Sequence, residues 1–422
     1  MLILIVQYSN KLCHIMSRCF IHYELHNIKN SPNVNENSTL DERICSIIKK
    51  EGYISCVVNK KVIPVDGGNY LANLYEIDVK GKTADGDKET SIFVKNMKPD
   101  TDIMELILLG NVYKTELFFY NELIKIFNEL QEEGKVPMNE RYNTVKCYEE
   151  SSVEAIIMEN VTKKGFKTRF RMDVITLDVA EESIKQLAKL HGLSFVLEHR
   201  RSNYFNEKIK SMKTSLLFGK MWEGFIEKFF KIGMECLSEN VRIKIANKVP
   251  KILKKMEEYL TDQSSMYCMC HGDYRPNNIM NKEVDGKRPE VIPVDYQLLY
   301  YGCPVIDFFY YIYMATDRKF RQAHMVHLKN LYYKSLDDFL QYFNLSAETV
   351  LPRKMFEYHY QEKWDYGLMT TFLYCPFLFV AENGDIPDVT KEAIVDIDFK
   401  FDDRFKDRLK DTVEEFIELG YL

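Results

Sequence analysis

Across residues 57–95, apolar and polar positions alternate with a period of two. An apolar run at 62–65 is followed by the turn Asp66-Gly67-Gly68-Asn69, and alternation resumes over 70–79. A polar loop at 81–89 contains Asp85-Gly86, and a short apolar run at 91–95 ends in lysine. Successive side chains of a strand point to opposite faces, so this pattern predicts an antiparallel meander with one buried face. The period then changes. Over 103–129, positions such as Leu117, Phe118, Leu123 and Phe127 recur at helical spacing. Two more strands are expected at 144–147 and 154–158. Beyond Glu159 the pattern is mostly helical. Asp178 with Glu181 reads as a capping box opening a helix that runs past His191. Further helices are expected at 241–260 and 323–343, and the last, at 405–419, stops at Gly420. A short amphipathic helix is expected at 40–51, behind a polar stretch at 27–39 that reads as a linker. No internal repeat is present. Strands first and helices afterwards predict an α+β chain with two lobes. Residues 1–40 read as an extension and linker, 41–159 as a small β-rich lobe, and 160–422 as a larger helical lobe.

Composition adds limits rather than detail. The chain has 422 residues, 46% of them hydrophobic, which is enough for a substantial core. A net charge of −6 offers no electrostatic footprint for nucleic acid or an anionic membrane. The ten cysteines form no C-x-x-C pair. Cys268 and Cys270 are nearest to each other, and no second pair completes a tetrahedral zinc site. They read as reduced thiols of a cytoplasmic protein. The apolar opening, residues 1–6, lacks a basic flank and a cleavage site, and no window approaches the roughly 18 apolar residues of a membrane span. The expectation is a soluble cytoplasmic protein with no nucleic-acid, membrane or obligate protein partner.

The chemistry concentrates in Cys270-His271-Gly272-Asp273-Tyr274-Arg275-Pro276-Asn277-Asn278-Ile279-Met280 and in the apolar run Val291-Ile292-Pro293-Val294 that ends at Asp295. The turn Asp285-Gly286 joins the two as a hairpin. Phosphoryl transfer from ATP requires Mg2+, a hard cation that takes oxygen ligands, and a carboxylate to orient and deprotonate the acceptor hydroxyl. In kinases the chain order is base Asp, metal Asn, metal Asp. Asp273, Asn278 and Asp295 follow that order. Upstream, Lys95 closes Ile92-Phe93-Val94-Lys95, the strand-end position of a phosphate-pairing lysine. Glu116 on the next helix is its natural ion-pair partner. Backbone N–H groups of Gly67, Gly68, Asn69 and Tyr70 can approach phosphates. No G-x-x-x-x-G-K-[ST] occurs, which argues against a P-loop enzyme.

These motifs resemble the ecdysteroid kinase-like family, related to choline kinases and aminoglycoside phosphotransferases. Cys270 to Asp273 with Asn277 to Met280 looks like its catalytic loop, and Val294-Asp295-Tyr296-Gln297 like its metal-binding strand end. Gly302-Cys303-Pro304-Val305-Ile306-Asp307, Gly68-Asn69-Tyr70, Glu116 with Phe119-Tyr120, and Leu187-Ala188-Lys189-Leu190-His191 are also similar. The resemblance covers roughly 41–422. It implies a protein-kinase-like two-lobed fold, with ATP and Mg2+ as cofactors and a small-molecule hydroxyl acceptor. It implies Asp273 as base, Asn278 and Asp295 as metal ligands, and Lys95 with Glu116 as phosphate clamp. It further implies Glu159 and Asn160 as the interlobe hinge against adenine, and His271 and Asp307 as loop supports. The chain departs from the family at Arg275, where Trp is usual, at Gly68, where Glu is frequent, and at Ala72, where Ser is frequent.

The family association is with ecdysteroid hormones and hydroxylated foreign compounds, hence with detoxification. Tyr300, Tyr301, Trp364, Tyr366, Phe372 and Tyr374 could supply an apolar acceptor cavity over Asp273. Choline is the rival acceptor, held by cation–π contact, with Asp365 as the obvious carboxylate. A protein kinase is disfavoured because Gly272 replaces the arginine of H-R-D and no A-P-E occurs. A nucleotide-binding pseudokinase is the non-enzymatic alternative.

Overall fold

The computed structural model describes residues 20–26, 38–63, 72–97, 109–264, 266–380 and 396–422. Five strands, β1 (Phe20–His26), β2 (Tyr53–Ile63), β3 (Ala72–Thr83), β4 (Gly86–Met97) and β5 (Ala155–Glu159), form one sheet in that order. Every neighbouring pair is antiparallel. The expected meander is therefore present. The polar loop expected at 81–89 is instead a tight hairpin, with β3 and β4 paired as far as Thr83 and Gly86. Gly86, at φ 123°, takes the turn, and both strands continue through polar residues because their outer ends are solvated on both faces. Residues 144–147 form no strand; Cys147 makes a single bridge to Met158. Phe20–His26, in the stretch read as an extension, adds the edge strand beside β2.

Alternation sets what each face of the sheet does. Val58, Ile77, Val79, Ile92 and Val94 turn to a core closed by helix α1 (Leu40–Lys50) through Ile44, Ile47 and Ile48. Each such side chain contributes roughly 1.5–3 kcal/mol on full burial. The helix is fixed at its start by a capping box, Thr39 with Glu42. Phe93 and Lys95, one position out of phase with Ile92 and Val94, face the cleft. Helices α2 (Leu109–Phe118) and α3 (Ile124–Glu133) follow, joined through a π turn, Phe119–Leu123.

The second lobe is mostly helical, around α4 (Leu177–Arg200), buried on most of its surface. Thr176, not Asp178, is its N-cap, and no side chain closes that end; Asp178 sits in the first turn, where its charge suits the helix dipole. The single helix expected at 241–260 is two, Glu239–Ile245 and Val249–Thr261, with Pro250 in the first turn of the second. Proline cannot continue a helix but is suited to start one. Helix Pro304–Ala315 is buried throughout. Helix Arg404–Glu418 ends the fold, followed by Gly420 at φ 81°. Two short antiparallel pairs lie between the helices: β6 (Cys268–Cys270) with β9 (Tyr300–Gly302), and β7 (Ile279–Lys282) with β8 (Glu290–Pro293). No helix among the described residues is long and apolar enough to cross a membrane.

Candidate active site

The chain leaves β6 through His271 and Gly272. Gly272 has φ 78°, and a Cβ there would lie 2.1 Å from the carbonyl oxygen of Leu298. Only glycine fits so close a backbone approach in that conformation. Asp307, in the first turn of Pro304–Ala315, accepts the N–H groups of His271 (2.6 Å) and Gly272 (3.0 Å). Its Oδ2 also lies 3.2 Å from Nε2 of His191 on α4, whose Nδ1 lies 2.7 Å from the Tyr332 hydroxyl. Burial pulls the His191 pKa down, but Asp307 and Cys270 together more than offset this, and the pKa is raised to about 9. The buried Asp307–His191 pair thus holds the loop.

Asp273 is buried at the end of this turn. Its Oδ1 accepts from the Tyr310 hydroxyl at 2.7 Å, and its Oδ2 from Nδ2 of Asn278 at 2.9 Å. Nε of Arg275, also buried, is 3.2 Å from Oδ1. Burial would raise the carboxyl pKa, yet it is lowered, with the Arg275 guanidinium the nearest opposing charge. Asp273 is therefore held as a carboxylate, ready to accept a proton.

The β7–β8 hairpin, turned at Gly286, carries the other two polar groups at its base: Asn278 precedes β7 and Asp295 follows β8. The N–H of Val294 donates to the carbonyl of Asn278 at 2.9 Å. Asp295 has φ 70°, the left-handed region, which Asp and Asn enter more readily than most residues. Lys95 reaches this point from the other lobe. Its Nζ lies 2.7 Å from Oε2 of Glu116, 3.0 Å from Oδ1 of Asp295 and 3.2 Å from Oε1 of Gln297. Burial alone would discharge the lysine, but Asp295 and Glu116 keep its pKa well above the ordinary value. Two buried oxygens here have no hydrogen-bond partner among the described residues: Oδ1 of Asn278 and Oδ2 of Asp295. Unpaired buried acceptors are costly, and one amide with one carboxylate oxygen is the donor set a hard cation takes. The residues present fit Mg2+.

Between the lobes, Leu74, Phe93, Met158, Val161, Met280 and Val294 enclose a slot of about 100 Å3. Lys95, Glu116 and Asp295 lie among its lining, as do residues 159–162. The Asn160 side chain braces this segment, accepting from the N–H and hydroxyl of Thr162 at 3.2 and 2.6 Å. Its N–H donates to Ser91 at 2.9 Å. On the other side of Gly272, Tyr300, Tyr310, Tyr366 and Tyr374 line an enclosed cavity of about 20 Å3.

A model of the ecdysteroid kinase-like family matches residues 66–345, the span that holds Lys95, Glu116, Asp273, Asn278, Asp295 and Asp307. The chain belongs to the ecdysteroid kinase-like family. No curated protein matches it in sequence. Among solved structures, choline kinase from Cryptosporidium parvum is similar at 12% identity and a TM-score of 0.44, over 90% of this chain and 98% of that one. Plasmodium vivax ethanolamine kinase is similar at 12% identity and 0.39, over 86% and 83%. A choline kinase from Streptococcus pneumoniae is similar at 13% and 0.36, over 90% and 100%.

In this family member, Lys95, Glu116 and Asp295 form one cluster and Asp273 and Asn278 another; His271 lies in the loop, its Nδ1 accepting from the Asp273 N–H at 3.3 Å, and Asp307 accepts the loop's N–H groups. Glu159 and Asn160 line the slot. Gly67, Gly68, Asn69 and Tyr70 lie outside the described residues. Tyr310 was missed by sequence reasoning, and Gln297 was quoted only within a motif, without a role. Tyr310 stands three residues after Asp307, one helical turn on, so spacing alone could have aimed it at the loop. Gln297 stands two residues after Asp295, on the same short turn. Of the aromatics expected over Asp273, Tyr300, Tyr366 and Tyr374 line the cavity; Tyr301 packs on Phe205, Trp364 on Tyr360, and Phe372 against Gly233.

Proposed function

We propose that this chain transfers the γ-phosphate of ATP to a hydroxyl of a lipophilic small molecule, an ecdysteroid or a hydroxylated foreign compound. One observation carries the reading. Oδ1 of Asn278 and Oδ2 of Asp295, both buried, lack partners among the described residues, beside a lysine held charged and next to an aspartate held ionised. In this reading the apolar slot takes the adenine against residues 159–162. Lys95, positioned by Glu116, binds the phosphates. Asn278 and Asp295 would hold the magnesium that accompanies the nucleotide, which supplies positive charge to the phosphate oxygens. Asp273 takes the proton from the acceptor hydroxyl as its oxygen bonds to the γ-phosphorus, and the bond to the departing ADP oxygen breaks. Tyr310 and Asn278 keep the carboxylate oriented throughout.

Choline is the weaker acceptor in this reading. Asp365 is buried and already takes Lys255 and the Tyr259 hydroxyl, each at 2.9 Å. A cationic acceptor would find that carboxylate neutralised. The test gives the purified chain ATP, Mg2+ and, separately, choline, an ecdysteroid, a phenolic glycoside and a generic protein. Phosphate appearing on a lipophilic alcohol is expected, with Asp273→Asn retaining nucleotide binding while turnover falls about a hundredfold or more. Transfer to choline or protein alone would overturn the acceptor, and transfer to none would favour a pseudokinase.

A further inference from the structure

The tyrosine-lined cavity beside Asp273 has room for about one water molecule, which suits an oxygen-bearing tip but not the body of an acceptor. A larger space adjoins it. Helix α2 turns Glu116 toward Lys95, and its other side presents Asn111, Lys114 and Phe118 to an open groove of about 640 Å3. That volume falls within the several hundred Å3 of ordinary small-molecule sites. Across from α2 runs the segment 208–218, which brings Lys208, Met212, Lys213 and Phe218 to the groove. Thr214 and Leu216 line both the groove and the inner cavity, so the two spaces share a wall. On the far side of that cavity is Tyr310, whose hydroxyl donates to Asp273.

The groove has a distinctive charge. Lys114, Lys208 and Lys213 are all exposed at its edge, in a chain whose net charge is −6. Lys208 has Glu207 at 3.3 Å; among the described residues no carboxylate pairs with Lys114 or Lys213. Between these ammonium groups apolar side chains, Phe118, Met212, Leu217 and Leu299, alternate with the hydroxyl residues Thr115, Ser211, Ser215 and Thr261. Apolar area would favour a lipophilic body, and the rim would favour an anion at its outer end.

Resting on the phosphotransferase reading above, we propose that this groove binds the body of the acceptor. The acceptor is then an amphipathic alcohol that carries an anionic group, such as a sulfate or carboxylate, remote from the hydroxyl that receives the phosphate. The hydroxyl would pass the Thr214–Leu216 wall toward Tyr310 and Asp273 while the anion stays at the lysines. That wall belongs to an irregular stretch of chain, where side chains can rearrange without breaking a helix or strand.

The test compares two probes on the full chain with ATP and Mg2+: a polyhydroxylated steroid and its monosulfate ester. A kcat/KM about tenfold or more higher for the monosulfate is expected. In the Lys114→Gln, Lys213→Gln double variant that preference should fall toward one, through KM rather than kcat. Equal or better use of the neutral steroid, or a preference unchanged in the variant, would overturn the proposal. Should neither probe be phosphorylated, the acceptor reading itself fails. Calorimetric titration of the monosulfate then decides the groove separately: binding weakened in the double variant supports it, and no binding, or binding unchanged, overturns it.

Discussion

Asp295 combines a buried oxygen without a partner among the described residues with an unusual backbone, and the two can be separated by mutation. At φ 70° an alanine is strained, whereas asparagine enters the left-handed region more readily. Asp295→Asn should therefore abolish magnesium-dependent ATP binding and lose melting temperature through the missing counter-charge of Lys95, and Asp295→Ala should lose more, because it adds backbone strain. Calorimetry and thermal unfolding on the two variants check this; equal melting losses would mean the charge, not the backbone, sets stability there. Gly272 makes the complementary case. Gly272→Ala forces a Cβ against the Leu298 carbonyl, and we expect a cost of about 1–3 kcal/mol together with severe loss of turnover, measured by denaturant unfolding and assay. At this scale the sequence was most informative. H-G-D-x-x-x-x-N and the carboxylate at a strand end are short-range patterns, and the loop that holds them is local. Arg275 was visible only as a departure from the family; its contact with Asp273 depends on a burial that no spacing reveals.

Elements were legible where one face was clearly apolar. Strands β2, β3 and β4 and helix α1 alternate or repeat broadly in step with their burial. Misreadings occurred where tertiary contacts override local signals. Asp178 and Glu181 have the spacing of a capping box, but Thr176 begins the helix; Glu181 instead meets His327 at 2.7 Å. Asp307 and His191 sit on different helices, and their pairing cannot be read from either one. It has a consequence for pH. The folded pKa of His191 is raised from 6.5 to about 9, so the imidazolium is favoured by folding. That contribution is fully present below about pH 6.5 and is lost as pH rises through about 9. The urea midpoint should accordingly decline across this window, and His191→Gln should flatten the decline. Parallel curves for the two proteins would show that the pair is not the source.

On the scale of the whole molecule, two lobes are joined at the cleft by Lys95. Lys95→Met leaves Glu116 and Asp295 buried without their cation, and loss of one partner from a buried pair costs about 3–5 kcal/mol. Adding Glu116→Gln should recover part of that stability and none of the turnover, which separates the lysine's structural role from the phosphate-binding role proposed for it. If the double variant regains turnover, Lys95 is not the phosphate clamp. The order of strands and helices along the chain already indicated two lobes. What it could not give was the distance between their polar residues, since 200 positions separate Lys95 from Asp295. That single contact sets one ammonium group against two carboxylates, Glu116 and Asp295, across the cleft. One ammonium group bolts the upper half of the protein to the lower, and under the proposed function an incoming nucleotide would compete with Glu116 and Asp295 for it. Loading the cleft and loosening the bolt between the two halves would then be one event.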